Sequence, residues 1–122
     1  MNKINLVLPL PPSINHSHIT TKSGKRIRST QTKQYMKEIY YYLYNYRVPI
    51  DILIPTKEKI IMDLWFYFPD NRRRDTHNGL KILLDALEGI LYKDDKCVLP
   101  RIQDFQVDKN NPRVEIEITL KD

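Results

Sequence analysis

The sequence predicts an α+β fold: a small mixed, mostly antiparallel sheet with two helices, in the order β-α-β-α-β-β. Three observations lead there. Apolar residues alternate at period two in residues 3–8, 58–68 and 113–120, the pattern of half-buried strands. Apolar residues recur at helical spacing in residues 29–47 and again from about Asp75 to Gly89. With 122 residues, 41% hydrophobic and 29% charged, the chain suits one domain, residues 1–122, with its own core.

The first strand, K-I-N-L-V-L, puts Ile4, Leu6 and Leu8 on one face. Pro9, Pro11 and Pro12 end it, because proline offers no ladder donor. Residues 13–28 show no sustained period and are read as a long polar loop, the kind that in a small domain is functional or mobile. His16 and His18 in it read as solvated surface, whereas Lys22, Lys25, Arg26 and Arg28 suit contacts to phosphate. The helix over 29–47 has Ser29 or Thr30 as its N-cap and Tyr35, Met36, Ile39, Tyr42, Leu43 and Tyr46 along its apolar stripe. Its six tyrosines leave two readings open: a stacking or interface surface, or Tyr35, Tyr42 and Tyr46 as core with the others on the flank. Pro49 and Pro55 bracket an irregular linker.

The strand at 58–68 carries Ile60, Met62, Leu64, Phe66 and Phe68 on one face and Ile61, Trp65 and Tyr67 around Asp63 on the other. Both of its faces are therefore expected to be covered over part of the length. Pro69 and Asp70 end it, and Arg72, Arg73 and Arg74 follow at once. The second helix starts near Asp75 or Thr76 and stops before Gly89, with Leu80, Leu83, Leu84 and Leu87 as its stripe. Asn78, Lys81, Asp85 and Glu88 share its polar face. Residues 97–107 read as a strand interrupted at Pro100, and R-V-E-I-E-I-T-L at 113–120 alternates without error.

The formal charge of +5 and pI near 9.3 favour a polyanionic partner, the more so because the basic residues cluster at 22–28 and 72–74. One cysteine, Cys97, excludes an intrachain disulfide and a cysteine-cluster metal site, which fits a reducing compartment. No leader pattern and no run of about 18 apolar residues are present, so a cytoplasmic location without a membrane span is expected.

The chemistry concentrates between Pro69 and Asp95. Carboxylates that can hold a hard cation and cations that can meet an anionic backbone are the ingredients of metal-dependent phosphodiester cleavage. Asp75 suits an N-cap on its own, but His77, Asp94 and Asp95 keep it company, and Asp75 with Asp95 suffices to anchor Mg²⁺ if the fold brings the two together. Lys81 is either a solvated surface lysine or a point charge for a scissile phosphate. Arg72, Arg73 and Arg74 read as phosphate clamps, since a guanidinium matches phosphate oxygens bidentately.

R-R-R-D-T-H-N-x-x-K, then L-D-A-L-E-G, then K-D-D, resembles the RusA family of Holliday junction resolvases, small endonucleases of bacteria and their phages. The opening L-P-L-P-P-S-I-N at residues 8–15 is similar to that family's N-terminal P-P-S-x-N segment. The resemblance implies a RusA-like fold and a divalent-metal-dependent endonuclease that resolves four-way DNA junctions by paired nicks in recombination and repair. It implies a homodimer, whose two-fold axis suits symmetric cuts. It places catalytic roles on Asp75, Lys81 and Asp95, with His77 where the family carries a second carboxylate. Imidazole is a softer, uncharged donor, so the metal set Asp75, Asp95 and His77 implies either Mg²⁺ or an ion such as Mn²⁺. Three accounts of His77 stay open: a ligand, a proton shuttle, or a substitution offset by Asp94 or Asp70. The alternative function is a branched-DNA-binding protein whose catalysis His77 has weakened.

Overall fold

The computed structural model describes residues 3–12, 18–20, 22–28, 30–45, 59–71 and 79–121. The strands are β1 (Lys3–Leu8), β2 (His18–Thr20), β3 (Arg26–Arg28), β4 (Ile60–Phe68), β5 (Val98–Val107) and β6 (Arg113–Leu120). The helices are α1 (Thr30–Asn45) and α2 (Leu80–Leu87), and a 3-10 turn at Asp95–Cys97 leads into β5.

Four strands form a mixed sheet in the order β1-β6-β4-β5. β6 lies antiparallel to both β1 and β4, whereas β4 and β5 run parallel. Parallel neighbours need a crossover, and α2 lies in the one joining β4 to β5. The expected α+β architecture with a mixed, mostly antiparallel sheet and two helices is the one found.

Alternation decides which face is buried. Leu6, Leu8, Ile60, Met62, Leu64, Phe66, Val114, Ile116 and Ile118 are all buried, and they share one cluster with Tyr35, Ile39 and Leu43 of α1 and Ile82, Leu83 and Leu87 of α2. The opposite face of β4, with Ile61, Asp63, Trp65 and Tyr67, is half-buried.

Several expectations change. The stretch 13–28, read as a loop, contains a two-stranded hairpin that pairs His18 with Arg28, Ile19 with Ile27 and Thr20 with Arg26. Three-residue strands are too short to show a period, and the turn between them relies on Gly24 at φ 84. In α1, Tyr42 is 40% exposed where a core position was expected, and Thr32 joins Tyr35, Ile39 and Leu43 on the buried side. Tyr46 lies outside the described residues. Pro100 does not interrupt β5 but sits within it, in register with Met62. β5 is an edge strand, where a missing N–H does no harm. The one irregularity falls later, where Leu64 pairs with Ile102 but Trp65 pairs with Asp104, leaving Gln103 as a bulge.

α2 begins at Leu80, because Gly79 takes φ +96 and leaves the helical region. A start at Asp75 or Thr76 falls outside the described residues. Gly79 is dictated by contact as much as by conformation: a Cβ there would come within 2.7 Å of Pro12 O and 3.2 Å of Pro11 Cγ. The proline segment after β1 thereby seats the start of α2. Gly79→Ala is expected to cost about 1–3 kcal/mol in stability, from the left-handed backbone and this clash together. Urea unfolding would read it, and an unchanged midpoint would mean that the two segments do not press together.

Candidate active site

Lys81 and Asp85 lie at i and i+4 of α2, on the face turned from the core, and Glu88, the residue that caps the helix C-terminus, follows at i+7. The chain then reverses within a few residues. Gly89, at φ 82, donates its N–H to Tyr92 O at 2.6 Å, while the N–H groups of Ile90 and Leu91 return to Leu87 O. Leu91 and Tyr92 are fully buried and anchor the reversal. The Tyr92 hydroxyl donates to Leu84 O at 2.5 Å, which ties the turn back to the helix.

That reversal delivers Asp95 to the polar face of α2. Its backbone N–H donates to Glu88 Oε1 at 3.1 Å, and its carboxylate receives Lys81 Nζ at 2.6 Å. Lys81 Nζ also lies 3.0 Å from Asp85 Oδ1, so the ammonium is held between two carboxylates. Hydrogen bonds to Asp95 first and Asp85 second push the Lys81 pKa above the usual lysine range, so it stays cationic throughout the neutral range. The Asp85 and Asp95 side chains are only 23% and 22% exposed, whereas that of Lys81 is 57% exposed, so the ammonium stays open to solvent on its outer side. Burial pushes the Tyr92 hydroxyl pKa up, and the negative charges of Asp95, Glu88 and Asp85 push it the same way.

Asp85, Glu88 and Asp95 each offer an oxygen, and these oxygens lie within 4.8 Å of one another. Oxygens that share one hard cation at about 2.0–2.6 Å stand no more than about 5 Å apart, so the separation suits a common ion. All three donors are carboxylate oxygens, the set that Mg²⁺ or Mn²⁺ takes. Three carboxylates and one ammonium leave two negative charges, which a divalent cation would balance.

Among the expected site residues, Lys81 and Asp95 are in direct contact. Asp75, His77, Arg72, Arg73 and Arg74 lie outside the described residues. Lys22 and Lys25 are exposed at the tip of the hairpin, and Arg26 and Arg28 form the ends of β3. Asp94 is not drawn toward Asp95. Its carboxylate accepts the Lys96 N–H at 3.0 Å and caps the 3-10 turn. The carboxylates that accompany Asp95 are instead Asp85 and Glu88. Both share a polar face with Lys81 in the sequence, and their i, i+4, i+7 spacing with that lysine is the signal that points to them.

Residues 9–119 match the family model for endodeoxyribonuclease RusA. The chain is 31% identical, over 121 residues covering 98% of it and 96% of the relative, to a crossover junction endodeoxyribonuclease RusA of Escherichia coli K12. It is similar at 33% identity, over 78% of this chain and 75% of the relative, to a crossover junction endodeoxyribonuclease of Enterobacteria phage HK97. A third protein of that name, from Enterobacteria phage 82, is 30% identical over 98% of this chain and 96% of its own length.

Proposed function

This chain belongs to the endodeoxyribonuclease RusA family, and from that membership we propose that it is a divalent-metal-dependent endonuclease that resolves four-way DNA junctions by paired nicks. The observation that carries the reading is the Lys81 ammonium held between Asp95 and Asp85, with Glu88 beside them. Related proteins of nearly the same length are named for cleavage at crossover junctions, which favours that substrate over linear duplex.

Asp95, Asp85 and Glu88 would hold the cation, with Asp75 and His77 as the further candidates that the family pattern supplies. A bound Mg²⁺ or Mn²⁺ would add Lewis acidity at the scissile phosphate. The remaining work falls to the chain itself. Lys81 has three N–H donors, of which Asp85 and Asp95 engage two, so the third can meet a phosphate oxygen as charge grows in the transition state. Glu88, by accepting the Asp95 N–H, fixes the turn on which Asp95 is presented. Arg72, Arg73 and Arg74 clamp the flanking phosphates, and Lys22, Lys25, Arg26 and Arg28 bind more distant ones. Two copies related by a two-fold axis would cut opposite strands of a junction. We place this activity in the cytoplasm, in DNA recombination and repair. No helix among the described residues is long and apolar enough to cross a membrane.

The test is a nicking assay on a synthetic four-way junction against a linear duplex of the same sequence, with Mg²⁺ and with Mn²⁺. Paired nicks on the junction alone, abolished by chelation, are expected. Cleavage that persists in chelator would sink the metal-dependent mechanism. His77, standing at the family's second carboxylate position, favours a second reading in which the protein binds branched DNA with little cleavage. A His77→Asp variant that gains cleavage where the natural chain shows none would establish that reading.

A further inference from the structure

The outward side of α1 has no part in the site just described. Lys33, Lys37, Tyr40 and Tyr44 stand at i, i+4, i+7 and i+11, a single stripe opposite the buried Thr32, Tyr35, Ile39 and Leu43. Both lysines are exposed, and Tyr40, Tyr41 and Tyr44 are 57%, 54% and 73% exposed. Such exposure is unusual for so many large aromatic side chains on one helix face, and it marks a contact surface. The carboxylate of Glu38 stays off the stripe, on the flank that borders Leu10 and Pro12, 3.5 Å from Gln34 Nε2. The stripe itself is therefore cationic and aromatic with no acid in it.

We propose that this face of α1 binds the sugar–phosphate backbone of a duplex DNA arm. The inference rests on the DNA-cleaving reading above and adds a contact surface to it. Lys33 and Lys37 meet phosphates as point charges, and the hydroxyls of Tyr40 and Tyr44 donate to phosphate oxygens. The charge complementarity is direct: two ammonium groups, with no carboxylate between them, face a polyanion. Backbone contact suits the tyrosines better than base stacking does. Tyr40 and Tyr41 meet edge to face, with centroids 6.1 Å apart and rings 77° from parallel, so they present no common flat platform. From Lys33 to Tyr44 the stripe runs roughly 16 Å, the axial length of about five nucleotides of one strand.

Junction binding measured across a salt series tests this. For the double variant Lys33→Ala/Lys37→Ala, the slope of log K against log salt is expected to fall by about two, since each phosphate contact adds roughly 0.9. For Tyr40→Phe/Tyr44→Phe, affinity is expected to drop roughly 30-fold at every salt concentration with the slope unchanged, from two hydrogen bonds at about 1 kcal/mol each. Thermal midpoints that match the natural chain would show that both variants remain folded. If both variants bind with natural affinity and slope, the inference falls while the nuclease reading stands. If instead the variants change the molecular mass in solution, a second copy of the chain covers this face and the inference also falls. Failure of the natural chain to bind branched DNA at all would overturn both.

Discussion

Asp95→Asn is expected to slow junction nicking by about 10²–10³-fold, the scale for removing one preorganised charged group from a reacting centre. The substitution keeps the shape of the side chain and removes its charge. It weakens the bond to Lys81 Nζ, now 2.6 Å, and takes one of three carboxylates from the acidic group. Junction affinity is expected to hold or to rise slightly, because a negative charge near the DNA has gone. Asp94→Asn is the informative control. Asp94 caps the 3-10 turn through Lys96 N–H, a task asparagine performs equally well, so nicking should stay within about twofold of the natural rate. Single-turnover nicking with saturating junction measures both. An Asp95→Asn enzyme that cuts at the natural rate would remove Asp95 from the reaction.

Tyr92→Ala is expected to be among the most destabilising single changes in the chain, at about 3–5 kcal/mol, because it empties a fully buried aromatic position. For a domain of this size that corresponds to a fall in Tm of roughly 10–20 °C. Tyr92→Phe keeps the ring and loses only the hydroxyl donated to Leu84 O, so about 1 kcal/mol is expected. The contrast separates packing from hydrogen bonding. Tyr92 also supports the turn that presents Asp95, so Tyr92→Phe should depress nicking less than Asp95→Asn does. Calorimetry on the two variants decides it. Equal, small shifts in Tm would mean that the ring does not hold the turn against α2.

Much of this molecule is legible without coordinates, and particular residues show why. The buried positions Leu6, Leu8, Ile60, Met62, Leu64, Phe66, Val114, Ile116 and Ile118 follow from alternation alone, since successive side chains in a strand point to opposite faces. Tyr42 was misplaced because it lies at the edge of the apolar stripe of α1, where helical spacing does not separate core from flank. The hairpin His18–Thr20 with Arg26–Arg28 was missed because two three-residue strands carry too few positions to express a period. Pro100 suggested a break in β5 because only the strand order reveals that β5 lies at the edge.

The candidate site divides in the same way. Lys81, Asp85 and Glu88 share a face by helical period, which is fixed by backbone geometry and is visible in any stretch of sequence long enough to make two turns. Asp95 reaches them only because Leu91 and Tyr92 bury themselves and fold the chain back onto α2. The sequence by itself determined the alternating strands, the two helices, the candidate residues Lys81 and Asp95, and the family pattern that joins them. Only the tertiary structure decided that β4 and β5 run parallel and that Asp85 and Glu88 stand beside Asp95. The physical reason is that side-chain direction is set by local backbone geometry, whereas strand partnership and the return of a turn are set by burial summed over residues distant in the chain.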